Sequence, residues 1–330
     1  MEGRTLYDWI GVITKQQHRW EKVARICSWF PKSMMLLLCK CLGTVWFLAS
    51  RRGLGARIQK NLTELLSERS EKKLRGYRLS YFHNLVITLY ELWIETYRLK
   101  ETAAWRFQVE GEEHLEEALL LGHGAIVYAP HVGNFFYYYW YLCQRYSCLT
   151  IVTSGSEELQ PMYYRFRDLG CYGLDYDATP PLELVRKLRN HLAANGVVFI
   201  LGDFYRPTFP LSRFFGKTTR TPEGAASLGI DYQVPIIPFH GYRKKGFTHM
   251  LSFEQPLHLY ASFQRTQRAE ATKVLNRYME SVIREYPEHW FYWFNAEERW
   301  EDESNKASKE DHHSKVKRTK KIETQKEFSA

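Results

Sequence analysis

The sequence predicts an α/β fold, with a mixed, mostly parallel sheet flanked by helices and an N-terminal membrane-associated helix. In the centre of the chain, short apolar runs alternate with helical stretches, which is the pattern of successive βα units. Most of these runs are apolar throughout, which is typical of strands that are covered on both faces. A third observation is the apolar segment at residues 33–50.

The segment at residues 33–50 predicts a helix at a membrane surface. A spanning helix needs about 20 apolar residues, and Lys40 interrupts this segment near its middle. We therefore expect an interfacial or re-entrant helix, while a full span and a buried core helix remain open. Basic residues flank the segment on both sides: Lys32, Arg51, Arg52 and Arg57. Residues 1–75 are expected to form a membrane-associating helical segment.

The next part of the chain is predicted to be helical. Residues 67–73 have the composition of a helix start, with Ser70 as a candidate cap, and residues 76–100 carry apolar side chains near helical spacing. Further strands and helices alternate up to about residue 285. We expect strands at 124–129, 149–152, 197–201, 234–239 and about 249–253, helices at 134–146, 182–194, 222–232 and 262–285, and a loop at 202–220.

These elements define an α/β domain over residues 76–300. The remaining stretch, 301–330, is rich in Lys, Glu and Ser and poor in apolar residues, which predicts a disordered basic tail. The basic run within it, 315–321, could touch anionic lipid or could simply be solvated.

The formal net charge of +9 would suit nucleic acid, anionic lipid or a phosphorylated substrate. No recognition motif supports nucleic acid, so we expect an anionic membrane surface as the partner instead. The six cysteines have no metal-ligand spacing, and we expect no metal site. The polar N-terminus has no cleavable secretion signal, which predicts that the core stays on the cytoplasmic side.

The candidate catalytic residue is His131, which follows the strand at 124–129. Ligands of open α/β sheets gather at the carboxyl ends of strands. Gly133 and Asn134 suit the turn after it, because Gly permits close backbone approach and Asn can cap the helix that follows. A lone histidine is more often structural than catalytic, so the interpretation depends on the surrounding motifs.

The His131-Val-Gly-Asn segment resembles the lysophospholipid acyltransferase superfamily, in the branch of the late (lauroyl or myristoyl) acyltransferases of lipid A biosynthesis. Other segments are similar to motifs of that family in the same order along the chain. They are Arg57 to Leu62, Phe82-His-Asn84, Arg167-Asp-Leu-Gly170, Leu201-Gly-Asp203, Phe214 to Gly224, Val234 to Pro238 and Pro287 to Trp293.

The resemblance implies a glycerolipid acyltransferase-like fold and acyl transfer from a thioester to a hydroxyl. The donor would be acyl carrier protein or coenzyme A, as a co-substrate and not as a bound cofactor. The acceptor would be a membrane glycolipid, such as a lipid A precursor of lipopolysaccharide, or a lysolipid. His131 would be the general base, with a carboxylate five residues later to orient it. The implied location is the cytoplasmic face of the inner membrane, either peripheral or single-pass.

The sequence departs from the motif at the position of that carboxylate. Phe136 stands five residues after His131, and no Asp or Glu occurs between Glu117 and Glu157. Asp203 is the candidate replacement, because it ends a strand expected to neighbour the strand before His131; a structural or acceptor-binding role is the alternative. The spacing also occurs at His249 and Glu254, but residues five apart in a strand point to opposite faces.

The loop before the helix at 222–232 supplies further candidate substrate-binding residues. Together with Gly133 and Asn134, the candidate substrate-binding residues are Phe215, Gly216, Arg220, Thr221 and Glu223. Around Arg220 to Gly224, positive charge, a Thr hydroxyl and a helix start could hold a phosphate or sugar-phosphate headgroup. Glu223 could equally act only as an acid in the first helical turn. Two functions remain open: an active acyltransferase, and a catalytically silent relative that binds lipid or a protein partner.

Overall fold

The computed structural model describes residues 17–27, 29–153 and 160–301. The tail expected at 301–330 lies outside the described residues apart from Glu301. Within these ranges, helices flank a central sheet. The helices are α1 (Gln17–Cys27), α2 (Lys32–Ala49), α3 (Leu54–Leu65), α4 (Glu71–Trp93), α5 (Leu99–Arg106), α6 (Glu112–Leu120), α7 (Phe135–Arg145), α8 (Gln160–Asp168), α9 (Pro181–Ala193), α10 (Gly224–Asp231), α11 (Leu259–Ser262) and α12 (Arg268–Glu285).

The strands are β1 (Phe107–Glu110), β2 (Ala125–Ala129), β3 (Cys148–Val152), β4 (Tyr172–Asp175), β5 (Val197–Leu201), β6 (Leu211–Phe214), β7 (Lys217–Arg220), β8 (Ile236–Lys245) and β9 (Thr248–Phe253). The central sheet formed by the described residues has seven strands in the order β1-β9-β8-β2-β5-β3-β4. All neighbouring strands are parallel except β8 and β9, which pair antiparallel. The predicted mixed, mostly parallel sheet is therefore confirmed.

The central strands β2 and β5 are buried almost completely, as their apolar sequences predict. The strands β1 and β4 at the two edges escaped prediction. Each has only four residues, and their partly exposed side chains do not form an apolar run.

Helix α4 begins earlier and ends earlier than the predicted helix at 76–100. The Ser70 side chain accepts a hydrogen bond from the Lys73 amide, so the cap that the sequence indicates starts the helix at Glu71. The helix ends at Trp93 and a short 3-10 turn follows at Glu95–Arg98. The Thr96 hydroxyl donates to the Glu91 carbonyl (2.8 Å), which satisfies a backbone group in the last turn of the helix.

Two other predictions were wrong in detail. The predicted loop at 202–220 contains the β6–β7 hairpin, whose two-residue turn has Phe215 and Gly216 at positive φ (52° and 73°). The predicted helix at 262–285 begins only at Arg268, after the short helix α11 and a 3-10 turn at Arg265–Gln267.

The N-terminal helices pack onto the α/β core. Phe47 of α2 and Ile58 of α3 are buried in the same hydrophobic cluster as the sheet residues. The expected boundary between residues 75 and 76 falls inside helix α4. Helix α2 lies along α4 in close contact, because a Cβ on Gly43 would come within 3.0 Å of the His83 backbone.

Candidate active site

The register of the sheet places His131 beside Asp203. Ala129 of β2 is paired with Leu201 of β5, so the residues two positions further on emerge side by side at the carboxyl ends of the strands. The Gly202 amide continues this pairing with a hydrogen bond to the Ala129 carbonyl (2.9 Å). A Cβ on Gly202 would come within 2.0 Å of the Tyr128 ring, so this turn requires glycine.

His131 and Asp203 form a hydrogen-bonded pair. The His131 Nδ1 atom lies 2.6 Å from Asp203 Oδ1, and the His131 backbone amide donates to both carboxylate oxygens at 3.0 and 3.1 Å. The indole of Trp290 donates to Asp203 Oδ2 at 2.7 Å. Burial would raise the pKa of Asp203, but its interaction with the His131 imidazole, the charge of Arg299 and the Trp290 hydrogen bond outweigh burial and lower the pKa.

This pairing fixes the orientation of the imidazole. An ionised carboxylate only accepts hydrogen bonds, so Nδ1 carries the proton that it shares with Asp203, and Nε2 is left as the acceptor. The His131 ring is also packed between the rings of Phe135 and Tyr292, with both centroids at 4.8 Å. The Tyr292 hydroxyl lies 3.4 Å from Nε2.

The segment at 287–293 closes the site from the other side. It runs antiparallel to the His131 segment: the Phe291 amide donates to the His131 carbonyl, and the Gly133 amide donates to the His289 carbonyl, both at 2.9 Å. Two asparagines from the N-terminal motifs hold this segment. Asn61 donates to the Trp293 carbonyl (2.8 Å) and Asn84 to the Glu288 carbonyl (3.1 Å).

A largely apolar cavity of about 740 Å³ opens beside His131. From His131 it extends past β5 and β3 to the edge strand β4, a distance of about 14 Å for three strand spacings. Its apolar wall includes residues from several helices and strands: Leu85, Leu89, Leu92, Phe135, Phe136, Met162, Phe166, Ile151 and Phe199. The volume and the lining are those of a site that encloses an apolar ligand.

Phe136 contributes to this wall and not to the polar pair. Its ring packs against Phe135 (4.9 Å between centroids) and Phe166 (5.2 Å). The carboxylate that the resemblance implies five residues after the histidine is thus replaced by an aromatic wall residue, while the Asp203 carboxylate, two residues after β5, reaches the imidazole.

Gly133 and Asn134 also line the cavity. Gly133 has φ of 69°, and a Cβ there would come within 2.2 Å of the Tyr138 hydroxyl. The Asn134 side chain caps helix α7 by accepting from the Tyr137 amide (3.3 Å) and donates to Glu91 (3.0 Å).

Sequence reasoning missed the buried ionic group around Glu91. Its carboxylate accepts hydrogen bonds from Arg243 (2.5 and 2.9 Å) and His249 (2.8 Å), and Arg106 lies 3.6 Å away. Burial would raise the pKa of Glu91, but the charges of Arg243 and His249 lower it. The group therefore anchors the Asn134 turn through an ionised carboxylate, and His249 belongs to it. No sequence spacing indicated this, because its members come from α4, α5, β8 and β9.

Glu288 and His289 were likewise missed as cavity-lining residues. Burial raises the pKa of Glu288 and lowers the pKa of His289 to about 3, so the imidazole is neutral. Glu288 therefore places an acidic group in the cavity near the candidate base.

The candidate residues of the hairpin region lie outside the cavity wall. Phe215 packs on Trp290 with its amide donating to Glu280, and Gly216 forms the hairpin turn. Arg220 pairs with Glu301 (3.0 Å), behind Asp203 rather than in the cavity. The Thr221 hydroxyl accepts from Asn276 (3.2 Å).

Glu223 immediately precedes helix α10, and its carbonyl accepts from the Ser227 amide (2.8 Å). Of this stretch, Pro222 lines the cavity. The structure thus brings His131, Asp203, Gly133 and Asn134 together and leaves the five hairpin-region residues outside. The substrate-binding role of all of them stays a prediction.

The fold, the strand-end histidine and the apolar cavity define a lipid acyltransferase-like protein. Residues 9–300 match the bacterial lipid A biosynthesis acyltransferase family, and the chain belongs to that family. The resemblance drawn from the sequence motifs is therefore confirmed.

Relatives within mycobacteria share part of the chain. A phosphatidylinositol mannoside acyltransferase of Mycobacterium tuberculosis is 35% identical over 143 residues, which cover 40% of this chain and 43% of that protein. A phosphatidylinositol mannoside acyltransferase of Mycolicibacterium smegmatis is 32% identical over 162 residues, which cover 45% of this chain and 51% of that protein. The matches therefore span about half the length of these relatives. The 1-acyl-sn-glycerophosphate acyltransferase of Thermotoga maritima superposes with a TM-score of 0.37 at 15% identity, covering 76% of this chain and 98% of that one.

Proposed function

We propose that the protein is an O-acyltransferase that moves a fatty acyl chain from a thioester to a hydroxyl of a membrane glycolipid or lysolipid. The observation that carries the proposal is the pairing of His131 with Asp203 beside an apolar cavity that His131 lines. His131 is the general base and Asp203 orients and polarises it. Asp203, two residues after β5, thereby supplies the carboxylate that Phe136 replaces in the motif.

The reaction follows from the two nitrogens of the imidazole. The acceptor hydroxyl gives its proton to His131 Nε2 as its oxygen attacks the thioester carbonyl carbon. Asp203 stabilises the imidazolium that forms, because its carboxylate already accepts from Nδ1. The C–S bond then breaks, and the thiolate leaves with the proton returned from Nε2. General-base catalysis of this kind contributes about 10²–10⁴-fold in rate.

The cavity supports an acyl chain and a polar acceptor on different parts of its wall. The apolar part of the wall, which includes Leu85, Phe136 and Phe199, suits the hydrocarbon chain. Burial of that chain contributes about 0.8 kcal/mol per methylene. Asn84, Glu288 and His289 supply polar groups suited to acceptor hydroxyls. The mycobacterial relatives favour a glycolipid acceptor, and a lipid A precursor or a lysolipid are the alternatives. The donor is an acyl carrier protein or coenzyme A thioester.

Helix α2 supports a membrane location. Among the described residues it is long and apolar enough to cross a membrane by length and composition. One face, from Met35 to Phe47, is buried along the protein, while the other exposes apolar side chains. Because α2 packs on α4 over its whole length, we propose that it lies in the interface, on the cytoplasmic side of the inner membrane. The exposed apolar residues of α2 are Met34, Leu37, Leu38, Leu42, Val45 and Leu48.

Helix α4 connects this surface with the site. Its Phe82 and His83 contact α2, through ring contacts to Trp46 and Phe47 and a 2.9 Å hydrogen bond to Thr44. Its Leu85 and Leu89 line the cavity. The proposed membrane face and the proposed acyl site thus lie on two sides of one helix.

The test uses the purified full chain with membranes and labelled acyl donors. Acyl carrier protein and coenzyme A thioesters are supplied in parallel, and labelled lipid is extracted and measured. We expect lipid labelling that is lost in His131→Gln. A folded parent protein that labels no lipid with either donor contradicts the proposal.

Phe136 favours the second candidate, a catalytically silent relative that binds lipid or a protein partner. In that case the cavity binds acyl chains but the parent shows no turnover. Tight binding of a fatty acyl probe by both the parent and His131→Gln, with no labelling by either, would support it.

A further inference from the structure

We propose that Arg51, Arg75 and Arg78 form a binding site for the anionic headgroup of a membrane phospholipid, at the C-terminal end of helix α2. We call these residues the arginine cluster. The cluster rests on the proposed membrane location and gives that membrane surface a specific site for an anionic headgroup. Binding at this site can be tested without any measurement of acyl transfer.

The three arginines converge from two segments. Arg75 and Arg78 are three residues apart on α4 and therefore share a face of that helix. Arg78 reaches the turn between α2 and α3, where its Nη1 donates to the Gly55 carbonyl (3.2 Å). The Gly55 amide in turn donates to the Ser50 carbonyl (2.9 Å), directly before Arg51.

Within the described ranges, none of these guanidinium groups forms an ion pair with a carboxylate. Glu71, one helical turn before Arg75, does not pair with it. The Arg78 Nε is buried without a hydrogen-bond partner. Burial lowers the pKa of Arg78, and the nearby charges of Arg75 and Arg51 lower it further. Mutual repulsion of unpaired cations is unfavourable in the free protein, and an anion held between them relieves it.

The cluster is continuous with the apolar face of α2. Arg78 lies over the Phe47 ring, with 4.7 Å between the guanidinium carbon and the ring centroid. Val45 and Leu48, on the exposed face, immediately precede the turn that carries Arg51. An apolar helix face that ends in unpaired arginines matches a lipid surface, where acyl chains lie beside phosphate groups. Arginine suits phosphate because its planar donors bind it bidentately.

The test is co-sedimentation of the full chain with phosphatidylcholine vesicles that contain 30% phosphatidylglycerol or none. The variant is the double substitution Arg51→Gln and Arg75→Gln, both at exposed positions where folding should be preserved. The matched control removes the same charge from exposed positions of helix α9, with Arg186→Gln and Arg189→Gln.

We expect the cluster variant to bind phosphatidylglycerol vesicles about 10- to 30-fold more weakly than the parent, at about fivefold for each arginine. The control should lose less than threefold, and binding to pure phosphatidylcholine should be the same for all three proteins. Equal losses in the cluster and control variants would mean that only net charge matters, and would overturn the proposal. Unchanged vesicle binding with weaker binding of acidic acyl carrier protein would also overturn it, by assigning the cluster to the donor protein.

Discussion

The substitution Asp203→Asn tests the repositioned carboxylate most directly. In the parent, Oδ1 accepts from His131 Nδ1 and Oδ2 accepts from the Trp290 indole. Asn offers one oxygen and one NH₂ group in their place. The indole is a donor only, so the amide oxygen must turn to Trp290 and the NH₂ group to His131. His131 then accepts at Nδ1 and carries its proton on Nε2, which removes the base.

The magnitude follows from this change of tautomer. The loss of general-base catalysis is worth about 10²–10⁴-fold in rate, or roughly 3–5 kcal/mol in the barrier. The assay is single-turnover transfer of a labelled acyl chain to lipid, with circular dichroism and thermal unfolding to check the fold. Asp231→Asn is the matched control, because Asp231 pairs with Arg268 (2.6 Å) and does not line the cavity.

An Asp203→Asn protein that folds and keeps more than a tenth of the parental rate would refute the role given to Asp203. The pH dependence gives a second measurement. The folded-state pKa of Asp203 is lowered below its usual value, so its contribution to stability is present above about pH 4 and is lost as the pH falls through the folded-state pKa. The difference in unfolding free energy between parent and Asp203→Asn should therefore shrink in acid.

Three further variants test the site and the membrane face. Phe136→Glu should not raise the transfer rate, because Asp203 already accepts a hydrogen bond from His131 Nδ1. It should lower the melting temperature, because it places an unpaired charge in the apolar wall. A large gain in rate would contradict the His131–Asp203 pair. Gly133→Ala should lower the free energy of unfolding, measured in denaturant titrations, by about 1–3 kcal/mol, because of the positive φ and the clash with Tyr138. An unchanged free energy of unfolding would show that the turn relaxes freely. Leu37→Glu combined with Val45→Glu should weaken vesicle binding at least tenfold. The melting temperature should be unchanged, since both side chains are exposed. Retained binding would place the membrane surface elsewhere.

Local patterns were sufficient for much of the fold. The apolar runs of β2 and β5 predicted buried strands, and Ser70 and Asn134 indicated caps that the structure contains. The edge strand β4 was missed, because its four residues carry no apolar period. The β6–β7 hairpin was missed because its turn uses Phe215 at positive φ, where Asn or Asp would have been the usual signal.

The sequence by itself determined the family, the strand-end position of His131 and the absence of an acid at position 136, since these depend on local order along the chain. Only the tertiary structure decided what the histidine contacts. The parallel register of β2 with β5 brings Asp203 within 2.6 Å of an imidazole 72 residues away in sequence, and Trp290 joins them from the far end of the domain. Pairing of distant strands is a property of packing, so no spacing between residues in the sequence could supply that distance.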